Sequence, residues 1–228
     1  MDFELTPEQL LFKEQVLKFA KKEIAPRVQE HDLREQFDWE SWKKLGESGI
    51  LGLHFPEELG GSGADVMTSV LAAEALGEAG VDGGLTLSYG AHTYLCADTI
   101  FRHGTNEQRQ KYIPKLASGE WVGCMGLTEP GAGSDVASIR TRAVRSGDYW
   151  VINGSKMFIT NGAIADVAVI YAKTDPSSGH AGISAFIVER GTPGFSVSRN
   201  LHKMGVRTSP TSELVFEDCQ IPYDNLLG

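Results

Sequence analysis

Nothing in this sequence is built for a bilayer, a nucleic acid or a metal. No stretch approaches the ~20 consecutive apolar residues of a membrane span. The N-terminus, MDFELTPEQLLFKEQ, is acidic and amphipathic where a secretion signal is basic and then apolar, so the chain is expected to be soluble and cytoplasmic. Lys and Arg form no run, and the net charge is −9, which excludes nucleic acid or an anionic membrane as main partner because both need clustered positive charge. The cysteines, Cys96, Cys124 and Cys219, are odd in number and far apart, so they are read as buried bystanders in a reducing compartment. No His pair has metal-ligand spacing. Internal repeats and low-complexity tracts are absent too.

The 228 residues allow one large core or two modest ones, and the hydrophobic period changes part-way along. To about Ala117 it is helical. Thr6-Pro7-Glu8-Gln9 starts one helix, with Phe12, Val16 and Phe19 on one face and Pro26 as its stop. A second runs from Asp38 through Trp39, Trp42 and Leu45. A third starts near Asp65, with Val66, Val70, Ala73 and Leu76 as its apolar stripe. Another spans Thr86 to Arg102, and Thr105 with Gln108 caps one more. LGLHFPEELGGSG, 51–63, is a loop.

After Gly119 short β-prone runs follow: 141–144, 149–152, 156–160, 167–173, 183–189, 195–199 and 213–217. Ser146-Gly147-Asp148, Asn153-Gly154 and Asn161-Gly162 separate the first four, and Asn-Gly between two such runs predicts a hairpin. The expected fold class is α+β: an all-helical domain, 1–118, followed by a compact antiparallel sheet or barrel, 119–228.

GLTEPGAGSD, 126–135, crowds three glycines after an apolar run. A dinucleotide fingerprint is excluded: Val136 replaces the third glycine and a β-prone run, not a helix, follows. A P-loop is excluded for want of Gly-Lys-Ser/Thr. Two readings stay open on the residues alone. One is a cradle of backbone N–H groups, an anion nest, aided by the Thr128 and Ser134 hydroxyls; the other is a Gly-Pro turn without a ligand.

VGCMGLTEPGAGSDVASIRTRA, YWVINGSKMFITNG and KMGVRTSPTSELVFEDCQIP, in this order and spacing, closely resemble the FAD-dependent acyl-CoA dehydrogenase family. EIAP at 23–26 and FPEELGGSG at 55–63 agree, so the resemblance covers the whole chain. It implies a helical N-terminal domain, a β-barrel middle domain and a helical C-terminal domain around FAD and an acyl-CoA thioester. Met125, Leu127 and Thr128 are then expected along the flavin, with the Leu127 backbone and Thr128 hydroxyl on its pyrimidine edge. Gly133 and Ser134 are expected at the pyrophosphate, Ser134 also at the thioester arm.

Phe158, Ile159 and Thr160 match the segment flanking the other side of the ring; Phe158 stands where many members carry Trp. Read from the residues alone, Phe158 and Ile159 are equally two core positions of a strand. His180 sits where several relatives place a polar residue near CoA, although a solvated loop histidine fits as well. Tyr89, His92 and Leu95 are candidates for lining the acyl pocket, and Arg207 and Ser209 read as structural.

The resemblance further implies α,β-dehydrogenation of an acyl-CoA, electron-transfer flavoprotein as acceptor, and a homotetrameric parent. Oxidases and flavin monooxygenases share the fold. Glu129 is assigned a structural part, and the base that removes the α-proton is expected beyond Gly228, in the C-terminal helical domain. On that reading the chain is a fragment that binds FAD weakly and does not turn over. A non-catalytic FAD- or acyl-CoA-binding or assembly module of the same fold is the alternative.

Overall fold

A computed structural model describes residues 4–228. Helix α1 (Pro7–Glu23) starts at a capping box in which Thr6 and Gln9 satisfy each other's backbone N–H groups. Pro26 ends it as expected, but a helix that the pattern did not announce follows, α2 (Val28–Arg34). Asp38 caps α3 (Trp39–Glu47) and Asp65 caps α4 (Val66–Glu78). The buried face of α4 is Ser69, Leu71, Ala72, Ala75 and Leu76. The stripe read from the sequence is displaced: Val66 and Val70 are exposed.

One continuous helical rod follows, comprising α5 (Gly83–Gly90), a π-helical stretch (Ala91–Ala97) and α6 (Asp98–His103). Helix α7 (Asn106–Ala117), capped by Thr105 and Gln108, completes the layer.

The second half forms one sheet from β1 (Gly123–Gly126), β2 (Arg142–Ser146), β3 (Tyr149–Thr160), β4 (Val167–Lys173), β5 (Ile183–Glu189), β6 (Phe195–Asn200), β7 (Thr211–Pro222) and β8 (Leu226–Leu227). Its order is β6-β7-β3-β2-β4-β5-β8, with β1 also on β4. Two expectations are corrected here. The sheet does not close into a barrel: among the described residues no pairing joins its end strands β6 and β8. β8 has only two residues and its Leu226 carbonyl accepts from Gln108 of α7, while β6 is largely exposed beyond Phe195. Nor is the sheet purely antiparallel, because β1 and the end of β2 run parallel to β4.

The Asn-Gly signals also misled. Asn153-Gly154 lies inside the twelve-residue β3 at a register shift, and Asn161-Gly162 leads to β4, which β3 does not pair. Only Ser146-Gly147-Asp148 turns a hairpin, β2–β3.

Strand β4 is apolar on both sides for a reason the topology supplies. Val167 and Val169 pack with Ile100, Tyr112, Ile113 and Leu116 of the helical layer, while Ala168, Ile170 and Ala172 face Phe186, Val188, Leu214 and Phe216 inside the sheet. His92, fully buried, fastens the layers: Nδ1 accepts from Gly123 N at 2.9 Å, which leaves Nε2–H to donate to Leu116 O at 3.0 Å. Asn161 adds a second fastening, donating from Nδ2 to Ser88 O and Gly123 O. Arg207 pairs with Asp32, and Ser209 accepts from Ser88, so these two join the β6–β7 connection to helices rather than only bracing that hairpin. Cys96, Cys124 and Cys219 are buried free thiols, as expected of bystanders.

Candidate flavin-facing cleft

At the end of β1 the chain passes Leu127 and Thr128, then folds back through Pro130-Gly131, with Glu129 and Ala132 exchanging backbone hydrogen bonds of 2.9 and 3.1 Å. No residue from 126 to 135 has a positive φ, so the loop holds no pair of alternating right- and left-handed residues. The glycines serve two other ends. A Cβ on Gly126 would meet Ile170 Cδ1 at 2.7 Å and Lys156 Cγ at 3.1 Å, so this backbone lies against a lysine stem. Around Gly131 and Gly133 a Cβ would meet nothing within 4 Å, which leaves their backbone open to a ligand.

That lysine is the main feature sequence reasoning missed. Lys156 is fully buried, and Nζ donates to Glu129 Oε1 at 2.7 Å and to Leu127 O at 3.1 Å. Glu129 also accepts from Thr141 N at 2.9 Å and Arg140 N at 2.6 Å. Burial pushes its carboxyl up, but the hydrogen bonds from Lys156, Thr141 and Arg140 outweigh that and hold it below the usual carboxylate value. The structural part assigned to Glu129 thus has a geometry: it locks the loop to β3. A signal existed in the sequence, since a Lys at alternating register inside a β-prone run must be either exposed or paired.

Strand β3 carries an irregularity between Lys156 and Ile159. Met157 N donates to Thr128 O at 2.8 Å. Phe158 then takes φ +62°, rare for a bulky residue, and is 61% exposed. Ile159 returns to the core at 2% exposure. The two candidates therefore part company: Ile159 is a core strand residue that borders the cleft, whereas Phe158 is held outward at a backbone cost. Strain of this kind, about 1–3 kcal/mol, collects at functional sites.

Met125, Leu127, Thr128, Phe158, Ile159 and Thr160 converge with Ala91 and Leu95 of the π-helical stretch around a cleft of ≈ 170 Å³. No acid, base or cation lines it. The Thr128 hydroxyl is half-buried there and makes no hydrogen bond among the described residues. Of the acyl-pocket candidates only Leu95 lies here. Tyr89 and His92 are buried in the helical layer and do not line this cleft, because the π-helical stretch from Ala91 is wound more widely than an α-helix and three-residue steps along it no longer stay on one face.

Gly133, Ser134 and His180 are exposed and do not line the cleft. His180 lies in the short helical segment Pro176–Gly182, which packs against the turn Val136–Ser138 that follows Ser134.

A helical layer is packed on a sheet, with an apolar cleft between rod, glycine loop and bulged strand, and known proteins share this architecture. The "Acyl-CoA dehydrogenase, N-terminal domain" family matches residues 6–120 and "Acyl-CoA dehydrogenase, middle domain" matches 124–219. The chain belongs to the acyl-CoA dehydrogenase family. A short-chain-specific acyl-CoA dehydrogenase of Clostridium acetobutylicum is 50% identical over all of this chain and 60% of its own length. The structure of butyryl-CoA dehydrogenase from Megasphaera elsdenii superposes with TM-score 0.94 at 43% identity, covering 100% of this chain and 60% of that one. A chain in a structure described as the electron transferring flavoprotein of Acidaminococcus fermentans gives TM-score 0.95 at 49% identity, again covering 100% and 60%. The chain thus spans 60% of the length of these proteins.

Proposed function

We propose that these residues form the flavin- and thioester-facing part of an enzyme that dehydrogenates an acyl-CoA at Cα–Cβ and passes the electrons to electron-transfer flavoprotein. In this reading residues 1–118 and 119–228 are its helical and sheet domains, and the complete enzyme is a cytoplasmic homotetramer. The observation that supports it most is the cleft itself: two segments distant in sequence, 125–128 and 158–160, meet there with an unspent hydroxyl on Thr128 and an outward aromatic ring.

The residues present fit FAD. The Thr128 hydroxyl is free to donate, the Leu127–Thr128 backbone borders the cleft, Phe158 offers an aromatic face, and Gly133 and Ser134 leave open backbone for a pyrophosphate. When bound, the flavin supplies the acceptor for the β-hydrogen. Met125, Ile159 and Thr160 border the same cleft and keep water out, while Ser134 and His180 are assigned to the thioester's CoA arm.

Removal of the α-proton needs a carboxylate within hydrogen-bond reach of it. None lines the cleft among the described residues, and Glu129, the nearest along the chain, has both oxygens engaged by Lys156, Thr141 and Arg140. Proton removal is therefore assigned to a carboxylate outside residues 4–228. The same lack of an acid–base group favours, as a second reading, a non-catalytic flavin-binding module.

The test is spectroscopic. Purified chain mixed with FAD is expected to quench flavin fluorescence weakly and saturably, without reduction on adding acyl-CoAs. Absence of flavin binding overturns both readings; reduction by a thioester overturns the outside base. Phe158→Gly relieves the positive φ and loses little burial, so it is expected to raise stability by about 1 kcal/mol while weakening FAD binding. Urea melts paired with fluorescence titration measure the two effects together. A variant that binds FAD as the parent does removes Phe158 from the site.

A further inference from the structure

A cavity of ≈ 620 Å³ lies beside the turn Val136–Ser138, lined by Ala137, Ser138, Ile139, Pro176 and three cations, Arg140, Arg142 and Lys173. The cations are placed by the sheet. Arg140 and Arg142 are two residues apart, and Arg142 stands opposite Lys173 where β2 meets β4, with Lys173 N donating to Thr141 O at 2.8 Å. Like charges facing each other across paired strands are destabilising.

Among the described residues none of the three side chains enters an ion pair or a side-chain hydrogen bond, although the protein carries nine more acidic than basic residues. The adjacent carboxylates are engaged elsewhere: Asp135 accepts from Ser138, and Asp175 accepts from Ser177 and Ser178. Those hydroxyls hold the Asp175 carboxyl down at about 2, so it is an anion turned toward its own loop.

We infer that Arg140, Arg142 and Lys173 form a binding site for the phosphates of a nucleotide. Two guanidinium groups and an ammonium match two or more phosphate charges, and Arg engages phosphate oxygens with paired N–H groups. The site is concave and of small-ligand size, whereas a polynucleotide or a membrane would need an extended basic surface, which the acidic chain lacks. Two sources share this chemistry: a free nucleotide, or the phosphorylated nucleotide end of a CoA thioester. The second source rests on the function proposed above; the site's chemistry does not.

Isothermal titration of the chain with ADP, CoA and 3′-dephospho-CoA, at low and at 0.5 M salt, tests the inference. All three cations are on the surface side of the fold, so Arg140→Gln/Arg142→Gln/Lys173→Gln is expected to fold normally by circular dichroism. Arg145→Gln, outside the cavity, is the control. Expected is binding of ADP and CoA that salt weakens, with at least a tenfold loss in the triple variant and none in the control. CoA binding tighter than dephospho-CoA or ADP assigns the site to the thioester; equal binding of ADP assigns it to a free nucleotide, and both support it. Absence of binding to all three ligands, or binding that the triple variant retains, overturns it. FAD quenching measured on the same samples separates the two ideas. Intact quenching without nucleotide binding sinks this site alone, and nucleotide binding without quenching sinks the flavin reading alone.

Discussion

Lys156→Met is expected to cost the folded chain about 3–5 kcal/mol, the range for breaking a buried ion pair by removing one partner. The deletion leaves Glu129 buried with a charge that only the amides of Arg140 and Thr141 answer, and it strips the Leu127 carbonyl of its Nζ donor. The pH dependence carries the sign. In the parent the Glu129 carboxyl is held below its unfolded value of ~4.3, so its contribution is present above that pH and lost as pH falls through the lower folded value. In the variant burial acts without the lysine and raises the folded value, so protonation relieves it.

The gap between parent and variant in urea melts should therefore narrow from pH 7 to pH 4. Adding Glu129→Gln to Lys156→Met removes the stranded charge and is expected to recover most of the loss. A single variant within about 1 kcal/mol of the parent at pH 7 would show that the pair does not hold the loop.

His92 sets the second large effect. Burial pushes its imidazole down to about 4 from 6.5, with the Leu116 carbonyl pulling weakly the other way. Its folded form is neutral and uses both nitrogens. Between pH 6.5 and about 4 the unfolded chain binds a proton that the folded chain refuses, so stability falls as pH drops through that window. At ~1.4 kcal/mol per pH unit the loss from this group amounts to about 3 kcal/mol. His92→Gln can still donate to Leu116 O but cannot protonate. It is expected to be less stable at pH 7 and to lose less on acidification, so the two stability curves converge toward pH 4. Parallel curves would mean that His92 is not buried neutral.

The two residues differ in how visible they were. Helix starts were legible because Thr6, Asp38, Asp65 and Thr105 act within three or four residues of themselves. Strands β4 and β5 were legible to the residue, since a strand buried on both faces shows as an unbroken apolar run. Asn153-Gly154 failed because a dipeptide that accepts unusual φ permits a turn without requiring one; here pairing with β7 kept β3 going and spent the glycine on a bulge. The α4 stripe failed because the helical period fixes which residues share a face but not which face meets the core; the face carrying Leu71, Ala72 and Ala75 turned inward and left Val66 and Val70 exposed.

The amino-acid order by itself settled the local grammar: where helices begin, which runs extend, that a glycine-rich segment ends a strand, and to which family these segments are similar. Those signals depend on atoms a few bonds apart, so a window of ten residues contains their causes. Only the packed chain decided that the sheet stays open and mixed, that Lys156 meets Glu129 under the cleft, that Phe158 faces out while Ile159 faces in, and that three cations share one hollow. Each of these depends on groups tens of residues apart in sequence brought within a few ångströms, where burial and unshared charge decide what a side chain does.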